Sequence, residues 1–386
     1  MRKLLTIFVF LSFQFCMTQT YHFPEESAPH EGTWLQWPHH HQHGITYRNR
    51  VEKTWIDMTK ALQANEKVHI IAYDESEKER IIGLLQKAGL SLKNIDFKIY
   101  PTDDVWVRDN GPLFVKDKNN NILIEDWGFN GWGEKFDFEN CDAVPSQIGR
   151  DLGIKVINLN DEMVNEGGSV ETDGRGVLMA CKSSVISQKK GSIRNKDITQ
   201  QEAEDYFKKY YGVSKVIWLE GVTGLDITDM HIDGFMKFIN SQTMLTMEKD
   251  DLLDMGLSER DINTLYAATN TKGEQYKKVY VPATKNNVKT AYGKQLDYKG
   301  SYVNYYVANG VVLVPNYGDV NDEVANKIIQ KQYPDRKVIG IDVRNLYENG
   351  GMVHCVTQQQ PAGNTVKQKA KAATTKNTDE EYEDEE

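Results

Sequence analysis

The chain has 386 residues, of which 39% are hydrophobic and 26% charged, and its formal net charge is −10. This composition supplies a core for one large domain or two smaller ones and excludes an intrinsically disordered chain. The excess of acidic residues disfavours nucleic acid and anionic membrane surfaces as partners, and it mildly favours cationic substrates.

The N-terminal residues have the pattern of an export signal. Arg2 and Lys3 form a short basic start, and the apolar stretch 4–15 is too short to span a bilayer. We therefore predict a signal peptide over residues 1–18 and an exported mature protein, periplasmic or secreted, with no membrane association. The alternatives are a buried N-terminal helix and a lipoprotein cut before Cys16.

Downstream of this leader, hydrophobic periodicity predicts short strands interleaved with fewer helices. The predicted helices are Asn49–Asn65, Ser76–Ala88, Gln200–Tyr211 and Asn321–Gln332. The predicted strands are Lys67–Tyr73, Phe97–Tyr100, Ile122–Trp127, Lys155–Leu159, Val177–Cys181, Lys215–Leu219, Gly234–Ile239, Thr243–Thr246, Lys278–Val281, Tyr302–Ala308, Val311–Pro315 and Lys337–Ile341. Some neighbouring strands form hairpins, one joined by Asn309-Gly310, so a purely parallel sheet is excluded. The pattern indicates an α/β or α+β domain.

The composition changes after Pro361. Residues 362–386 are rich in Lys, Ala, Thr and Asn and end in an acidic run from Asp379 to Glu386. Such a stretch cannot bury a core, so we predict a folded domain over 19–361 followed by a disordered acidic tail.

The cysteines indicate a reactive thiol. Cys16 would leave with the signal peptide, and Cys141, Cys181 and Cys355 remain at no disulfide-like or metal-like spacing. An exported protein with an odd number of thiols and no disulfide framework favours a thiol kept for chemistry.

Four polar clusters lie in glycine-rich or turn-rich sequence. They are Thr102–Pro112, Asn165–Ser169, Asp226–Gly234 and Asn349–Gln359. In the third, His231 and Asp233 would point to the same side of an extended chain. Taken singly, each cluster is compatible with a surface turn, a structural hydrogen bond or an inert core cysteine. His39–His43 could bind a metal, but a flexible solvent loop is favoured there and no metal site is predicted.

Together, these clusters contain the groups that cleavage of a guanidinium C–N bond requires. The resonance-stabilised carbon needs a soft nucleophile such as a thiolate. Carboxylates match the N–H edges of the planar cation. A histidine must protonate the departing ammonia and later activate water, and a further acid can hold that histidine. One cysteine, one histidine and three carboxylates meet this requirement, although their spacing does not show that they converge.

The clusters, in this order, resemble those of the agmatine deiminase and bacterial-type peptidylarginine deiminase family. The matching stretches are His30–Pro38, Trp106–Pro112, Trp127–Gly133, Glu166–Ser169, His231–Asp233, Tyr302–Gly310 and His354–Pro361. The resemblance extends over nearly the whole mature chain. It implies the pentein fold, an α/β-propeller of five pseudo-repeated strand-and-helix modules around a central active site.

The resemblance also implies the chemistry. The implied roles are nucleophile for Cys355, general acid and base for His231, support of His231 for Glu166, clasping of the guanidinium for Asp109 and Asp233, and a channel wall for Trp106. The implied reaction passes through a covalent thiouronium intermediate to a ureido product, with no metal or organic cofactor. Homodimers are common in the family, so a homodimer is an expectation.

Departures from the family pattern bear on the substrate. After Trp37-Pro38, agmatine deiminases carry an acidic, tryptophan-bearing stretch that helps receive the far amine, whereas this chain has His39–His43. Asp229-Met230 replaces the Asn-Gly that precedes the catalytic histidine. Export is unusual for a cytosolic polyamine route and suggests periplasmic scavenging or arginine side chains in peptides. Arg108 is present, but no arginine pair for a substrate carboxylate can be placed.

The leading interpretation is hydrolysis of agmatine to N-carbamoylputrescine and ammonia, and the alternative substrate is a peptidyl arginine, which would give citrulline. Amidino transfer would need an amine to outcompete water. A cysteine peptidase would not need paired carboxylates. A non-catalytic guanidinium-binding protein would keep Asp109 and Asp233 but tolerate Cys355→Ala.

Overall fold

The computed structural model describes residues 21–365, so the predicted signal peptide at 1–18 and nearly all of the predicted tail at 362–386 lie outside the described residues. Within them the chain has the α/β fold that the sequence predicts. The strands are β1 (Tyr21–His22), β2 (His30–Gln36), β3 (Lys67–Ala72), β4 (Ile95–Ile99), β5 (Leu113–Asp117), β6 (Ile122–Asp126), β7 (Lys155–Asn158), β8 (Val170–Thr172), β9 (Val177–Cys181), β10 (Lys215–Leu219), β11 (Met236–Asn240), β12 (Thr243–Thr246), β13 (Lys277–Tyr280), β14 (Tyr306–Ala308), β15 (Val311–Asn316), β16 (Lys337–Asp342) and β17 (Gln358–Pro361). The helices are α1 (His40–Leu62), α2 (Glu75–Lys87), α3 (Val107–Asn110), α4 (Gly131–Glu134), α5 (Glu139–Asp142), α6 (Val144–Leu152), α7 (Lys182–Val185), α8 (Gln200–Tyr210), α9 (Lys249–Asp254), α10 (Glu259–Tyr266) and α11 (Asp322–Gln332).

The strands form five sheets in which one unit recurs. Two antiparallel strands are followed by a helical connection and a third strand that runs parallel to the second. The first four units are β5–β6–β7, β8–β9–β10, β11–β12–β13 and β14–β15–β16. The fifth unit combines both ends of the described chain, because β17 pairs antiparallel with β2, and β3 and β4 follow in parallel. These sheets correspond to the five strand-and-helix modules that the resemblance implies.

The units pack in chain order, and the fifth also contacts the first. Strands β8 and β11 join the second and third units, α1 packs on β15 and β16 of the fourth, and β17 packs on β5 of the first. Between the third and fourth units, Oγ of Ser301 donates to the carbonyl of Gly234 at 2.8 Å. The pairing of β17 with β2 therefore closes the series of units.

The core lies between the sheets and the inner faces of the helices. Strand β9 is buried along its whole length, and α8 buries Ala203, Phe207 and Tyr210 while its other face is polar. Burial of one side chain such as Phe207 contributes about 1.5–3 kcal/mol to folding. Helix α8 begins after Thr199, whose side chain forms a reciprocal cap with Glu202. This packing fixes the loops that precede each sheet.

Most predicted elements are confirmed, with ends displaced by a few residues. The turn at Asn309-Gly310 joins β14 to β15 as expected, with Gly310 at φ 67°. Strands β1, β2, β5, β8 and β17 were not predicted. Of these, β17 (Gln358–Pro361) is a polar segment without strand periodicity. Its backbone becomes a strand by pairing with β2, where Gln360 lies opposite Gly32. Tertiary pairing thus overrides local propensity there.

The expectation of a flexible loop at His39–His43 is wrong. Helix α1 begins at His40 and bends at Gly44, where φ is 75°. His39 is buried, and its Nε2 lies 2.9 Å from the carbonyl oxygen of Thr102. Within residues 21–365, no three His, Cys, Asp or Glu side chains are arranged to hold a metal ion. Over the same residues, no helix has the length and apolar character needed to cross a membrane.

Candidate active site

Short turns before the first strand of four units bring the predicted site residues together. They are α3 with Asp109, the 3-10 turn Gly167–Ser169 after Glu166, the 3-10 turn Ile232–Gly234 with Asp233, and the 3-10 turn His354–Val356 with Cys355. The expectation of an extended chain through His231 and Asp233 is therefore wrong. Helix α3 contacts the turns at 167–169 and 354–356, and the turn at 167–169 contacts that at 232–234. The fold thus supplies the convergence that spacing alone could not show.

Gly168 marks the point where three site residues meet. A Cβ atom placed on it would lie 2.5 Å from Nδ1 of His231, 2.7 Å from Oδ1 of Asp109 and 3.2 Å from Oδ2 of Asp233. Its backbone N–H donates to Oδ1 of Asp109 at 3.2 Å. Only glycine leaves room for this approach, so Glu-Gly-Gly is more than a surface turn.

His231 is held between two carboxylates. Its Nε2 donates to Oε2 of Glu166 at 2.7 Å, and its Nδ1 lies 3.6 Å from Oδ1 of Asp109. Burial alone would lower the pKa of His231, but Asp109 and Glu166 outweigh burial and raise it to about 9. The imidazole is therefore protonated at neutral pH and can donate a proton to a leaving group.

Glu166 is itself fixed by a buried arginine that sequence analysis missed. Nε of Arg194 donates to Oε1 of Glu166 at 2.7 Å, and both side chains are at most 1% exposed. Burial would raise the pKa of Glu166, but Arg194 and His231 lower it. Arg194 lies in the connection between α7 and α8, which carries no periodic signal, so the sequence offered no means of finding it.

The segment before His231 is strained, and Arg194 helps to hold it. Asp229 and Met230, which replace the Asn-Gly of the family pattern, both have left-handed backbones, with φ of 60° and 71°. Such angles are costly for most residues other than glycine, asparagine and aspartate, so the strain lies chiefly at Met230. Asp229 is bound by Arg194 and accepts a hydrogen bond from Ser192 at 2.8 Å. These buried contacts offset the strain and explain how the departure is tolerated.

Asp109 accepts hydrogen bonds on both oxygens. Nε1 of Trp132 donates to Oδ2 at 3.0 Å, opposite the bond from Gly168 to Oδ1. Burial, together with the charges of Glu166 and Asp233, raises the pKa of Asp109 to about 6 against the opposing effect of His231. Trp132 lies in one of the sequence stretches that match the family, but no role was assigned to it there. Its indole N–H fixes the orientation of the Asp109 carboxylate.

The structure separates Cys355 from the other two described thiols. Cys141 and Cys181 are fully buried, and burial raises the pKa of both well above the ordinary range, so they are inert. Cys355 is half-buried, lines a cavity and has Sγ 3.6 Å from Oδ1 of Asn304. Burial, then Asp233 and Asp109, also raise its pKa, so the thiol is neutral in the unliganded site.

Asp233 is buried, and its Oδ2 is the oxygen that approaches Gly168. Its Oδ2 lies 2.7 Å from Nδ1 of His354, a residue to which the sequence assigned no function. Burial would raise the pKa of Asp233, but the hydrogen bond and charge of His354 lower it. Asp233 is therefore an anion close to the thiol, unlike Asp109, which titrates near neutrality.

A cavity of about 130 Å³ leads to these groups. Asp109 and Cys355 line it, together with the aromatic side chains of Trp106 and Trp132, and Asp104 adds a further carboxylate. Neither lysine nor arginine is among its lining residues within 21–365. Arg108 lies elsewhere: it is buried, and its Nε donates to the carbonyl of His354 at 3.3 Å. The cavity is therefore acidic and aromatic, as a cationic ligand requires.

The chain is similar over most of its length to known proteins. The Porphyromonas-type peptidyl-arginine deiminase family model matches residues 22–361. A Selenomonas ruminantium protein, named provisionally as an agmatine deiminase, is 30% identical over 89% of this chain and 96% of its own. The Enterococcus faecalis agmatine deiminase structure is 25% identical, with a TM-score of 0.76 over 89% of this chain and 96% of that one. A structure from Porphyromonas gingivalis, described provisionally as an arginine deiminase, is 29% identical, with a TM-score of 0.77 over 89% and 99%.

Proposed function

The chain belongs to the Porphyromonas-type peptidyl-arginine deiminase family, and we propose that it hydrolyses agmatine to N-carbamoylputrescine and ammonia. One observation carries the proposal: a cysteine thiol and a carboxylate, Cys355 and Asp109, line one acidic cavity, and His231 and Asp233 lie directly behind Asp109 around Gly168. Family relatives named as agmatine deiminases support the same reaction.

In the proposed reaction, the substrate cation prepares the nucleophile. Asp109 and Asp233 bind the N–H edges of the guanidinium, and its positive charge lowers the pKa of the adjacent Cys355 thiol, whose proton leaves to solvent. The thiolate then attacks the guanidinium carbon and forms a C–S bond. As the C–N bond breaks, protonated His231 gives its proton to the leaving ammonia. A thiouronium adduct on Cys355 remains.

The second half of the proposed reaction reverses the role of the histidine. Having lost its proton, His231 accepts one from a water molecule as that water attacks the carbon of the adduct. The C–S bond breaks and releases the Cys355 thiolate, which takes up the remaining proton of the added hydroxyl, and the ureido product leaves. Glu166, anchored by Arg194, keeps His231 in place through both steps.

The lining of the cavity supports an amine-bearing substrate. Asp104 is 8% exposed and lines the cavity, and burial raises its pKa against the opposing effects of the Val105 N–H, His43, Gln42 and Trp106. An ammonium at the far end of agmatine would compensate the charge of this carboxylate. A free arginine would instead bring a carboxylate into an acidic cavity. Asp104→Asn is expected to raise KM for agmatine about tenfold with little change in kcat.

Peptidyl arginine is the second candidate, favoured by the rim of the cavity. Phe136 and Ile227 line the cavity yet are 46% and 39% exposed, and Leu225 nearby is 45% exposed. An apolar rim of this kind suits contacts with the residues that flank an arginine in a peptide. The two candidates differ in what lies beyond the guanidinium, so a direct comparison of substrates separates them.

The test measures ureido product from agmatine, free arginine and an arginine-containing peptide in parallel, with Cys355→Ala as the control. Turnover of agmatine above the other two supports the leading proposal. Preference for the peptide moves the protein to the second candidate. No product from any of the three, in a folded protein, contradicts both and favours a non-catalytic guanidinium-binding protein.

We further propose that the protein is exported, on the pattern of Arg2, Lys3 and the apolar stretch 4–15. Agmatine hydrolysis outside the cytoplasm would scavenge a guanidine compound toward putrescine formation. The test compares the fractionation of the full chain with that of a chain starting at residue 19. Recovery of the full chain in the cytoplasm, unprocessed, would contradict export. The homodimer stays a prediction, and gel filtration checks it.

A further inference from the structure

A buried ion network lies behind Asp233 and joins it to the N-terminal part of the described chain. The ring of His354 stands between two carboxylates: Nδ1 is 2.7 Å from Oδ2 of Asp233, and Nε2 is 2.6 Å from Oε2 of Glu26. Nζ of Lys237 donates to the same Glu26 oxygen at 3.1 Å. The His354 and Asp233 side chains are at most 3% exposed, and that of Glu26 is 9% exposed. The reaction steps above use neither His354 nor Glu26.

The two contacts of His354 determine how many protons its ring holds. A neutral imidazole has one N–H, so one ring nitrogen would direct a lone pair at a carboxylate oxygen. Burial would raise the pKa of both carboxyl groups, but Lys237 and His354 lower that of Glu26, and His354 lowers that of Asp233. Each ring nitrogen thus faces a carboxylate oxygen, and only a ring with two N–H groups can donate on both sides.

The ring belongs to one buried network of charged groups. Beyond Asp233 and Glu26, which contact the ring, the network contains the carboxyl group of Glu171 and two cations, Lys237 and Arg108. Lys237 lies 3.7 Å from Glu171, and Arg108 lies 3.5 Å from Glu26. Burial raises the pKa of Glu171 against the opposing effect of Lys237. The network comes from separate segments of the chain, so it is built by the fold.

The same histidine is coupled to the nucleophile. Cys355 follows His354 in one tight turn, and the backbone N–H of His354 donates to Oδ1 of Asn304 at 3.0 Å. That oxygen also contacts Sγ of Cys355 at 3.6 Å, and Nδ2 of Asn304 donates to the carbonyl of Asp233 at 3.4 Å. A change in the ring would therefore disturb both the carboxylate and the turn that carries the thiol.

We propose that His354 and Glu26 are positioning residues: Glu26 orients the His354 ring, and the ring holds the Asp233 carboxylate in the place from which it binds the guanidinium. The inference rests on the proposed guanidine hydrolysis. It differs from a structural role, which would stabilise the fold without setting the charge or direction of Asp233. The consequence is that binding of the cation depends on a residue of the N-terminal segment that lies outside the cavity.

Two substitutions of His354 separate the halves of this proposal. In His354→Asn, the amide nitrogen replaces Nδ1 and still donates to Asp233. In His354→Gln, the amide nitrogen replaces Nε2 and reaches Glu26 instead. We expect kcat/KM for agmatine to fall about tenfold in the first variant and about 100-fold in the second, chiefly through KM. Thermal melting of both variants measures the structural effect, which we expect to be similar for the two.

Glu26→Gln tests the charge, and Glu171→Gln is its matched control within the same network. Without the Glu26 carboxylate, the ring loses the partner of its Nε2, its donation to Asp233 weakens, and the pKa of Asp233 rises. The acid limb of the kcat/KM profile should therefore steepen and move to higher pH. Glu171 contacts Lys237 but has no contact with the ring among the described residues. Glu171→Gln should therefore have the same acid limb of the kcat/KM profile as the wild type.

The outcomes distinguish this inference from the proposed function. If the wild type is active, either of two results would overturn this inference and leave the proposed function standing. One is an equal loss of kcat/KM in His354→Asn and His354→Gln. The other is the same acid limb of the kcat/KM profile in Glu26→Gln as in Glu171→Gln. Absence of wild-type turnover would refute the proposed function. In that case nitrogen NMR of the His354 ring still decides the network. An imidazolium signal that Glu26→Gln abolishes supports it, and a neutral ring in the wild type overturns it.

Discussion

Gly168→Ala tests the geometry of the site most directly, because it adds one methyl group and no charge. The backbone at Gly168 lies outside the left-handed region, so alanine introduces no backbone strain there. The methyl carbon would lie 2.5 Å from Nδ1 of His231 and 2.7 Å from Oδ1 of Asp109, whereas ordinary contacts begin at 3.4 Å. The side chains of His231 and Asp109 would have to move away from the new methyl group.

The size of the effect follows from how firmly those side chains are held. His231 is bonded to Glu166, and Asp109 to Trp132, so neither can retreat without losing a hydrogen bond. A displacement of about 1 Å in a reacting group costs about 100-fold in rate. Overpacking of this kind costs about 1–3 kcal/mol of unfolding free energy. We therefore expect kcat/KM for agmatine to fall about 100-fold in a protein that still folds.

The assay is ureido product formation, with thermal melting alongside it. Gly234→Ala is the matched control, because a Cβ atom there meets nothing within 4 Å although the residue directly follows Asp233. A folded Gly168→Ala protein with nearly wild-type kcat/KM would refute the inferred convergence of His231 and Asp109. Equal losses in both glycine variants would show that the effect is not specific to that point.

Three further predictions follow from the site. Cys355→Ala is expected to abolish ureido product while leaving the melting temperature nearly unchanged, because its side chain is small and half-buried; turnover by the variant would contradict its role as nucleophile. kcat/KM for agmatine is expected to fall below pH about 6, where Asp109 takes up a proton, and above about 9, where His231 loses the proton it gives to ammonia. A kcat/KM that does not change across this pH range argues against both roles. Glu166→Gln is expected to lower the unfolding free energy by about 1–3 kcal/mol, because Arg194 loses one anionic partner but keeps Asp229. It is also expected to move the alkaline limb of the kcat/KM profile to lower pH, because the pKa of His231 falls. Denaturant unfolding and a pH profile check the two effects.

The pH dependence of stability has a sign that follows from His231. Its pKa in the folded protein, about 9, lies above its ordinary value of 6.5. The raised pKa of His231 therefore contributes stability that is fully present below about 6.5 and is lost as pH rises through about 9. Asp109, whose pKa is raised to about 6, acts in the same direction at lower pH, because its charged form is disfavoured in the folded site.

The residue types of the site could be read from the sequence because each lies in a turn-rich cluster beside a strand. The residues that hold these site residues in place could not be read from the sequence. Trp132 and Asn304 occur inside stretches that resemble the family, yet the chemistry assigned from those stretches needed no further group. Arg194 has no local signal at all, and its importance depends on a contact with Glu166, 28 residues earlier. Partners of this kind are defined by packing, which periodicity does not report.

The sequence by itself determined the α/β class, the hairpin at Asn309-Gly310 and the inventory of thiol, imidazole and carboxylates, because these depend on local spacing and residue chemistry. Only the tertiary structure decided which described thiol faces a cavity and how the ends of the domain close through β17 and β2. It also joined His354 to Asp233 across 121 residues and to Glu26 across 328. Contacts at such separations arise from the pairing of strands and the packing of whole units, and short-range sequence patterns carry no information about them.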